Sequence, residues 1–285
     1  MKTKFYYYIS ILFLCLCHVS CEDFLEETNK SGLTTDPFMK TKVGIESALN
    51  SCYSGARTFY GQEDGFGMTE SGTDLFLRGG NNSETQVCDY KGLTATSSTV
   101  AWLWNHCYKG LANINMFFET IDDTPFADEA DKNICKAEML TMRSMFLWII
   151  TENWGDSYLP MSTDETEGME ARRSPRSEFY KEIIEGLKTA LDLLPDTRTK
   201  VYGRIDAPSV KAFLSRMYLY NEEFDKAAEM ASQVIDGDYG YKLSSSLKDL
   251  WDDSKRNDEF IWTTEFVEDA AFKQSSFYWR HCDVY

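Results

Sequence analysis

The densest apolar pattern of the chain is Met139–Ile150, which is apolar on almost every side. A helix with this profile is either buried in a protein or embedded in a membrane. The run is too short to cross a bilayer, and Arg143 interrupts it. The pattern predicts a central helix that is packed by neighbours on several sides. We expect it to end near Asn153, before a turn at Trp154–Asp156.

Arg143 is the one cation of this apolar run. A guanidinium that is buried without a partner is very costly, so it must be paired or must reach solvent along its apolar stem. We expect a structural role for Arg143. A carboxylate, or the carbonyl groups at the helix end, would hold it beneath a structural turn at Gly155 and Asp156.

Helical spacing also marks segments on both sides of the central stretch. Apolar side chains recur every three or four residues in 45–56, 104–121, 180–194 and 210–235. Asn115 lies on the apolar face of the second segment, where we expect a structural amide with its hydrogen bonds satisfied. The pattern predicts a mainly α fold of packed helix pairs. A minor β element is expected as a short strand at Glu259–Glu265.

The stretch 58–100 breaks this periodicity. It is rich in Gly, Ser, Thr and Asn, residues that interrupt regular structure. Loops of this length are uncommon inside a folded domain and often carry function. We therefore expect a long functional loop here.

Composition narrows the classes of partner. The formal net charge is −17, from 46 acidic and 29 basic residues, so nucleic acid and anionic lipid are poor partners. Aromatic residues make up 14% of the chain, a high share. Most of these rings belong in the core, but some are available to stack on sugars.

Residues 1–20 have the form of a secretory signal peptide. Two lysines precede the apolar run Phe5–Cys17, which is too short for a good membrane span. Cys21 follows the small residue Ser20, as a lipidated cysteine follows a lipoprotein signal. We expect cleavage before Cys21 and an outer-membrane lipid anchor on it, with one domain over 21–285. The alternative is a soluble secreted protein whose Cys21 is an ordinary residue.

Residues that carry catalysis are sparse in this chain. It has three histidines, and no spacing of His, Cys or carboxylate residues matches a metal site. No phosphate-binding loop, dinucleotide fingerprint or G-x-S-x-G elbow occurs. Carboxylates are plentiful, so a glycosidase pair stays open as an alternative. We expect neither an enzyme nor a cofactor.

Blocks of residues in order along the chain resemble one protein family. The central block comprises Glu138, Arg143, Phe146, Trp154–Asp156 and Pro160. Further blocks are Asp23–Glu26, Ala48–Tyr53, Glu70–Asp74, Tyr108–Asn115 and Ser174–Pro195. Together they resemble the pattern of the SusD/RagB proteins, the surface nutrient-binding lipoproteins of Bacteroidetes. The resemblance covers residues 21 to about 265.

This resemblance implies a fold of tetratricopeptide-like helix pairs, the SusD-like α-α superhelix. Family members are longer, and their second half has no counterpart in this chain. The implied function is capture of an oligosaccharide or peptide nutrient at the outer-membrane surface. The ligand would pass to a SusC-like TonB-dependent transporter. The alternative is a helical-repeat lipoprotein that acts as a scaffold and binds no small ligand.

One region outside the periodic helices combines sugar-binding residue types, namely the long loop and the helix start after it. The candidate ligand-binding residues are Asp74, Arg78, Asn81, Asn82 and Trp102. Trp104 shares the apolar face of Tyr108, which predicts a core position, whereas Trp102 lies off that face. The resemblance supports a ligand-facing loop. The alternative is that the loop contacts the transporter and Trp102 packs at that interface.

Overall fold

The structure, a computed structural model, describes residues 38–61, 63–75, 85–163, 171–250 and 257–266. The chain divides into two units, Met1–Phe38 and Met39–Tyr285, and every helix given below belongs to the second. The predicted signal peptide and Cys21 lie outside the described residues, as do Arg78, Asn81 and Asn82.

The second unit is built from helices, which confirms the mainly α class. The longer ones are α1 (Lys42–Gly61), α4 (Ser98–Thr120), α5 (Glu129–Trp154), α6 (Arg176–Leu193), α7 (Ala207–Tyr220) and α8 (Phe224–Ile235). The shorter ones are α2 (Glu63–Thr69), α3 (Thr85–Asp89) and α9 (Leu247–Leu250). None of the described helices combines the length and the apolar character that a membrane crossing requires.

Helix α5 is the predicted central helix. It begins where the Asp128 side chain accepts a hydrogen bond of 2.9 Å from the backbone N–H of Ala130, a standard N-cap. It ends at Gly155, whose backbone N–H donates to the Thr151 carbonyl at 2.9 Å. Helices α1, α4 and α6 all pack against it. Most of its apolar side chains, among them Met139 and Ile150, are buried in the core, as the apolar pattern predicted.

Successive helices pack as pairs, in line with the tetratricopeptide-like expectation. Helices α7 and α8 are joined by a short turn, and the Ser215 hydroxyl donates to the Ala227 carbonyl at 2.7 Å across the pair. Helices α5 and α6 form another pair, in which the Ser144 hydroxyl lies 3.3 Å from the Ile183 carbonyl. Small residues at these crossings let the two backbones approach closely.

The glycine-rich stretch 58–100 is not one long loop, so that prediction was wrong for the part that the structure describes. Helix α1 continues to Gly61, α2 and α3 are short helices, and α4 begins at Ser98. Gly65 shows the physical reason, because a Cβ atom there would collide with the Phe59 carbonyl oxygen. This glycine allows a close contact between α1 and α2, and does not mark a loop.

The predicted strand at Glu259–Glu265 is also absent from the described residues, where this segment is irregular. A strand needs a neighbouring strand to bond its backbone groups, and none pairs with this segment within the described ranges. Instead, the indole N–H of Trp262 donates to the Gly203 carbonyl at 3.0 Å. The β element seen is an isolated antiparallel bridge between Ser157 and Ser174.

The partner of Arg143 differs from the prediction. Its guanidinium donates to the Asn115 side-chain oxygen at 2.7 Å and lies 4.6 Å from the centre of the Phe118 ring. A carboxylate or helix-end carbonyl was expected, but the observed partner is a neutral amide. Burial lowers the pKa of Arg143 to about 10, while the charge of Glu182 opposes this shift. Arg143 is therefore charged at neutral pH and held by a neutral amide and an aromatic ring.

The other side of the Asn115 amide holds the chain that follows α5. Its side-chain nitrogen donates to the carbonyl oxygens of Ser162 at 2.9 Å and Pro160 at 3.3 Å. The side chain is only 3% exposed, so these bonds satisfy a buried amide. Asn115 thereby joins α4, Arg143 of α5 and the segment after α5.

A buried carboxylate ties α5 to the segment before α7. Glu138 forms a two-point ion pair with Arg204, with contacts of 2.6 and 3.1 Å, and accepts a hydrogen bond from the Tyr53 hydroxyl at 2.9 Å. Burial raises the pKa of Glu138 to about 7, and Arg204 and Tyr53 oppose that rise. In a buried ion pair of this kind, removal of one partner strongly destabilises the fold, because the other charge is left buried without a partner.

Candidate functional site

An open cleft of about 300 Å³ lies where α4, the end of α5 and the segment before α6 meet. We call it the Trp104 cleft. Its lining comprises Trp104, Trp154, Asp156, Ser157, Tyr158, Ala171, Arg172 and Arg173. Aromatic, cationic and acidic side chains thus meet at one solvent-accessible place.

The rings of the cleft hold one another in position. Trp104 packs edge-to-face on Trp154, with ring centres 5.3 Å apart, and lies 4.5 Å from the ring of Tyr108. Tyr108 stacks parallel to Tyr158, and its hydroxyl donates to the Tyr158 carbonyl at 2.7 Å. Because these rings are already fixed, a ligand that stacks on them would cost little side-chain entropy.

The backbone around the cleft is shaped by a glycine and a bridge. Gly155 has φ of 65° and ψ of −132°, a conformation that other residues adopt only under strain. It turns the chain sharply after α5. Ser157 and Ser174 then exchange backbone hydrogen bonds of 3.2 and 2.8 Å. The turn and the bridge together place Tyr158 opposite Arg173.

The charged groups of the cleft differ in how they are bonded. The Asp156 carboxylate accepts from the backbone N–H of Arg176 at 3.2 Å, at the start of α6. The Nε of Arg173 donates to the Asp156 carbonyl oxygen at 2.8 Å. Arg172 and Arg173 are exposed, and neither has a carboxylate partner among the described residues. Within the part of the chain that the structure describes, the cleft therefore presents two exposed guanidinium groups without a carboxylate partner.

This combination suits a polyhydroxylated ligand. The apolar face of a sugar ring packs on flat aromatic rings, and its hydroxyl groups bond to arginine and carboxylate side chains. A cleft of about 240 Å³ elsewhere is also lined by aromatic side chains and by Arg216. It is less suited, because the Arg216 guanidinium already lies over the Trp148 ring and donates to the Tyr220 hydroxyl.

The two described residues of the predicted ligand site, Asp74 and Trp102, do not line the Trp104 cleft. Asp74 is exposed after α2. Trp102 is half-buried, packs against the core and stacks on His106, with ring centres 5.1 Å apart and planes 10° apart. Trp102 and Trp104 are two positions apart on α4, so they face opposite sides of that helix. Gly155 and Asp156 lie at the Trp104 cleft, although they were expected only to be structural.

A polar cleft of about 250 Å³ lies between α1 and α4, on the side of His106. Its lining includes Ser54, Thr58, Lys109 and Asn113. The His106 ring nitrogen lies 3.0 Å from the Gly55 carbonyl, and burial lowers the pKa of His106. Trp102, which stacks on His106, therefore stands beside hydrogen-bonding groups.

The sequence reasoning missed Trp154, Tyr158, Arg172 and Arg173 as site residues. It also placed Trp104 in the core, whereas Trp104 is half-buried and lines the cleft. One signal was available, because three arginines occur within Arg172–Arg176 in an acidic chain. The meeting of three segments at the cleft is a tertiary feature, and residue spacing does not reveal it.

The fold and the cleft define a helix-pair protein with an open, aromatic binding surface. Comparison with known proteins makes the class more specific. A SusD-like family described as "Starch-binding associating with outer membrane" matches residues 23–219. The chain belongs to this SusD-like family.

Relatives and solved structures agree with this assignment. Two SusD-like proteins of Formosa agariphila are 26% and 21% identical over 86% and 92% of this chain, and the matches cover 50% and 51% of those proteins. A laminarin-binding SusD-like protein superposes with a TM-score of 0.67 at 23% identity, covering 74% of this chain and 48% of that one. A SusD superfamily protein from Bacteroides vulgatus gives 0.67 at 21% identity, covering 76% and 48%. The chain spans about half the length of the relatives it matches.

Proposed function

We propose that this chain binds an oligosaccharide in the Trp104 cleft. The observation that carries the proposal is the meeting of three aromatic rings, Trp104, Trp154 and Tyr158, with arginines and a carboxylate in one open cleft. Such a cleft supplies both stacking surfaces and hydrogen-bond partners for a sugar. The chain acts by binding and performs no chemistry on the ligand.

The family adds support to this proposal. Its description includes starch binding, and one structural neighbour is a laminarin-binding protein. The loop residues Asp74, Arg78, Asn81, Asn82 and Trp102 remain a second proposed surface for the same ligand. The Trp104 cleft is favoured because its rings and charged groups line one space, whereas Trp102 lies on the other side of α4.

The proposed setting is the outer surface of the outer membrane. Cys21 carries the lipid anchor, and the captured oligosaccharide passes to a SusC-like TonB-dependent transporter. The family description, which associates its members with the outer membrane, supports this setting. Several acyl chains, at roughly 0.8 kcal/mol per buried methylene, would hold the protein there permanently.

The test is glycan-array screening of the full mature chain, followed by calorimetric titration of the best ligand. Trp104→Ala should weaken binding about tenfold or more, since a stacked and desolvated ring contributes roughly 1.5–3 kcal/mol. Trp102→Ala on the opposite face of α4 is the matched control. If Trp102→Ala and Arg78→Ala weaken binding and Trp104→Ala does not, the ligand lies at the loop surface. If no glycan binds, the scaffold alternative replaces the proposal.

A further inference from the structure

We infer that the oligosaccharide taken by the Trp104 cleft is acidic, with carboxylate or sulfate groups on its sugars. The inference rests on the proposed function and specifies the class of ligand. The first observation that supports it is that cationic side chains line the cleft although the chain as a whole is acidic. The chain carries 46 acidic and 29 basic residues, yet Arg172 and Arg173 line the cleft without a carboxylate partner among the described residues.

Several other cations of the described chain are paired with carboxylates, whereas exposed lysines such as Lys181 and Lys188 are not. The ion pairs include Lys42–Asp131, Lys136–Asp122, Arg198–Asp258, Arg204–Glu138 and Lys211–Asp196. The other described arginines without a carboxylate partner, Arg57, Arg143 and Arg216, each lie over an aromatic ring. Arg172 and Arg173 have neither kind of partner among the described residues, and an anionic ligand would supply one.

The acidic groups near the cleft are already engaged. The Asp156 carboxylate accepts the backbone N–H of Arg176. The Glu152 carboxylate pairs with the Arg176 guanidinium at 3.0 Å and accepts a hydrogen bond of 2.7 Å from the Tyr180 hydroxyl. Arg176 and Glu152 therefore offset each other, and the two remaining guanidinium groups outnumber the one carboxylate of the lining.

A hydrogen bond fixes the orientation of the Arg173 side chain. Its Nε is fixed on the Asp156 carbonyl oxygen at 2.8 Å, while its terminal nitrogens have no partner among the described residues. A guanidinium presents paired N–H groups that match the two oxygens of a carboxylate or a sulfate. A neutral hydroxyl group offers one oxygen, so it does not match both N–H groups of the pair. The rings beside it provide the stacking surface that any sugar needs.

The experiment compares matched ligands on the full mature chain by calorimetric titration. The ligands are an oligogalacturonate, the same oligomer with its carboxyl groups reduced to alcohols, and a sulfated galactan oligomer of equal length. Four carboxylates precede Ala171 in the sequence, at Asp164, Glu165, Glu167 and Glu170, so the charge preference has to be measured against the neutral oligomer. The two acidic ligands separate carboxylate from sulfate recognition.

We expect at least one acidic oligomer to bind about tenfold or more tightly than the neutral one, because a hydrogen bond to a charged group is stronger than a neutral one. The preference should shrink as salt is raised, since the charged groups are exposed. Arg172→Gln should remove most of it, while Lys181→Gln, at an exposed lysine on α6, should leave it intact.

Three other results would have different meanings. If acidic and neutral oligomers bind equally and Trp104→Ala abolishes both, the cleft binds glycans and the inference about charge is wrong. If an acidic preference persists unchanged in Arg172→Gln and in Arg173→Gln, these arginines do not cause it and the inference fails. If no oligosaccharide binds at all, the proposed function itself has failed.

Discussion

Arg143 is held inside the helical core by a neutral group. The partner is the Asn115 amide, at 2.7 Å, with the Phe118 ring alongside. The sequence could predict that a lone arginine in an apolar helix needs a partner. It could not predict which one, because Asn115 lies 28 residues away and comes close only when α4 packs on α5. An amide partner also changes the expected energy, since no second buried charge is stranded when Arg143 is removed.

Arg143→Met should lower the free energy of unfolding by about 1–3 kcal/mol. This is the range for a lost hydrogen bond to a charged group, and it lies below the roughly 3–5 kcal/mol for breaking a buried ion pair. The measurement is urea unfolding, with Lys188→Met at an exposed position of α6 as the control. A loss as small as that of the control would mean that Arg143 is not held in the core.

Glu138 gives a prediction about pH. Burial raises its folded-state pKa to about 7, from an ordinary value of 4.5. Between these two values the folded state binds more protons than the unfolded state. The contribution of Glu138 to the free energy of unfolding is therefore full below pH 4.5 and is lost as the pH rises through 7. Relative to Glu138→Gln, the natural chain should lose stability across this window.

The measurement for Glu138 is urea unfolding at a series of pH values, with Glu185→Gln as the control at an exposed position of α6. The control should follow the natural chain at every pH. If the difference between the natural chain and Glu138→Gln stays constant with pH, the Arg204 pair holds the pKa of Glu138 at its ordinary value.

At the scale of elements, the long helices were predictable and the short ones were not. Helix α5 follows from a dense apolar run, and the turn after it follows from Gly155. Helices α2 and α3 were missed because seven and five residues are too few to show a period. The strand at Glu259–Glu265 was predicted from the local sequence alone, but a strand also requires a partner strand that the local sequence does not supply.

Gly155 links the end of α5 to the cleft. Gly155→Ala should cost roughly 1–3 kcal/mol of stability, because its backbone conformation is strained for any residue with a Cβ atom. It should also weaken oligosaccharide binding, since Trp154 and Asp156 flank it in the cleft. Gly240→Ala is the matched control, because Gly240 also has positive φ and open space around it. It should reduce stability without changing binding.

The test of Gly155 needs both unfolding and titration on the same two variants. If Gly155→Ala lowers stability but binds oligosaccharide as well as Gly240→Ala does, the turn does not set the geometry of the cleft. Space for a methyl group is not the issue at either site, since a Cβ there would have no described atom within 4 Å outside the glycine and its two chain neighbours.

At the scale of the whole molecule, the family could be predicted from residue blocks spread along the chain, but the position of the site could not. The blocks contain residues that pack the helices together, so they predict the helices and the structural role of Asn115. The Trp104 cleft depends on how the segment 171–173 meets α4 and the end of α5. Helical spacing already placed Trp104 and Trp102 on different sides of α4, but only the packed fold shows that the Trp104 side lines a cleft.

The lipid anchor is a prediction for the whole chain. Intact-mass spectrometry of the membrane-purified protein should find acyl mass on Cys21 as the first residue. Cys21→Ala should release the protein from the membrane fraction, whereas Cys88→Ala, at a half-buried free thiol, should not. A mature chain that begins at another residue would show that Cys21 is an ordinary cysteine.

The central claim is that an oligosaccharide occupies the Trp104 cleft, and a crystal structure with the best array ligand tests it most directly. We predict a sugar ring stacked on Trp104 or Tyr158, with a guanidinium of Arg172 or Arg173 within hydrogen-bond distance of the ligand. A ligand seated on Trp102, with the Trp104 cleft holding only water, would contradict the claim.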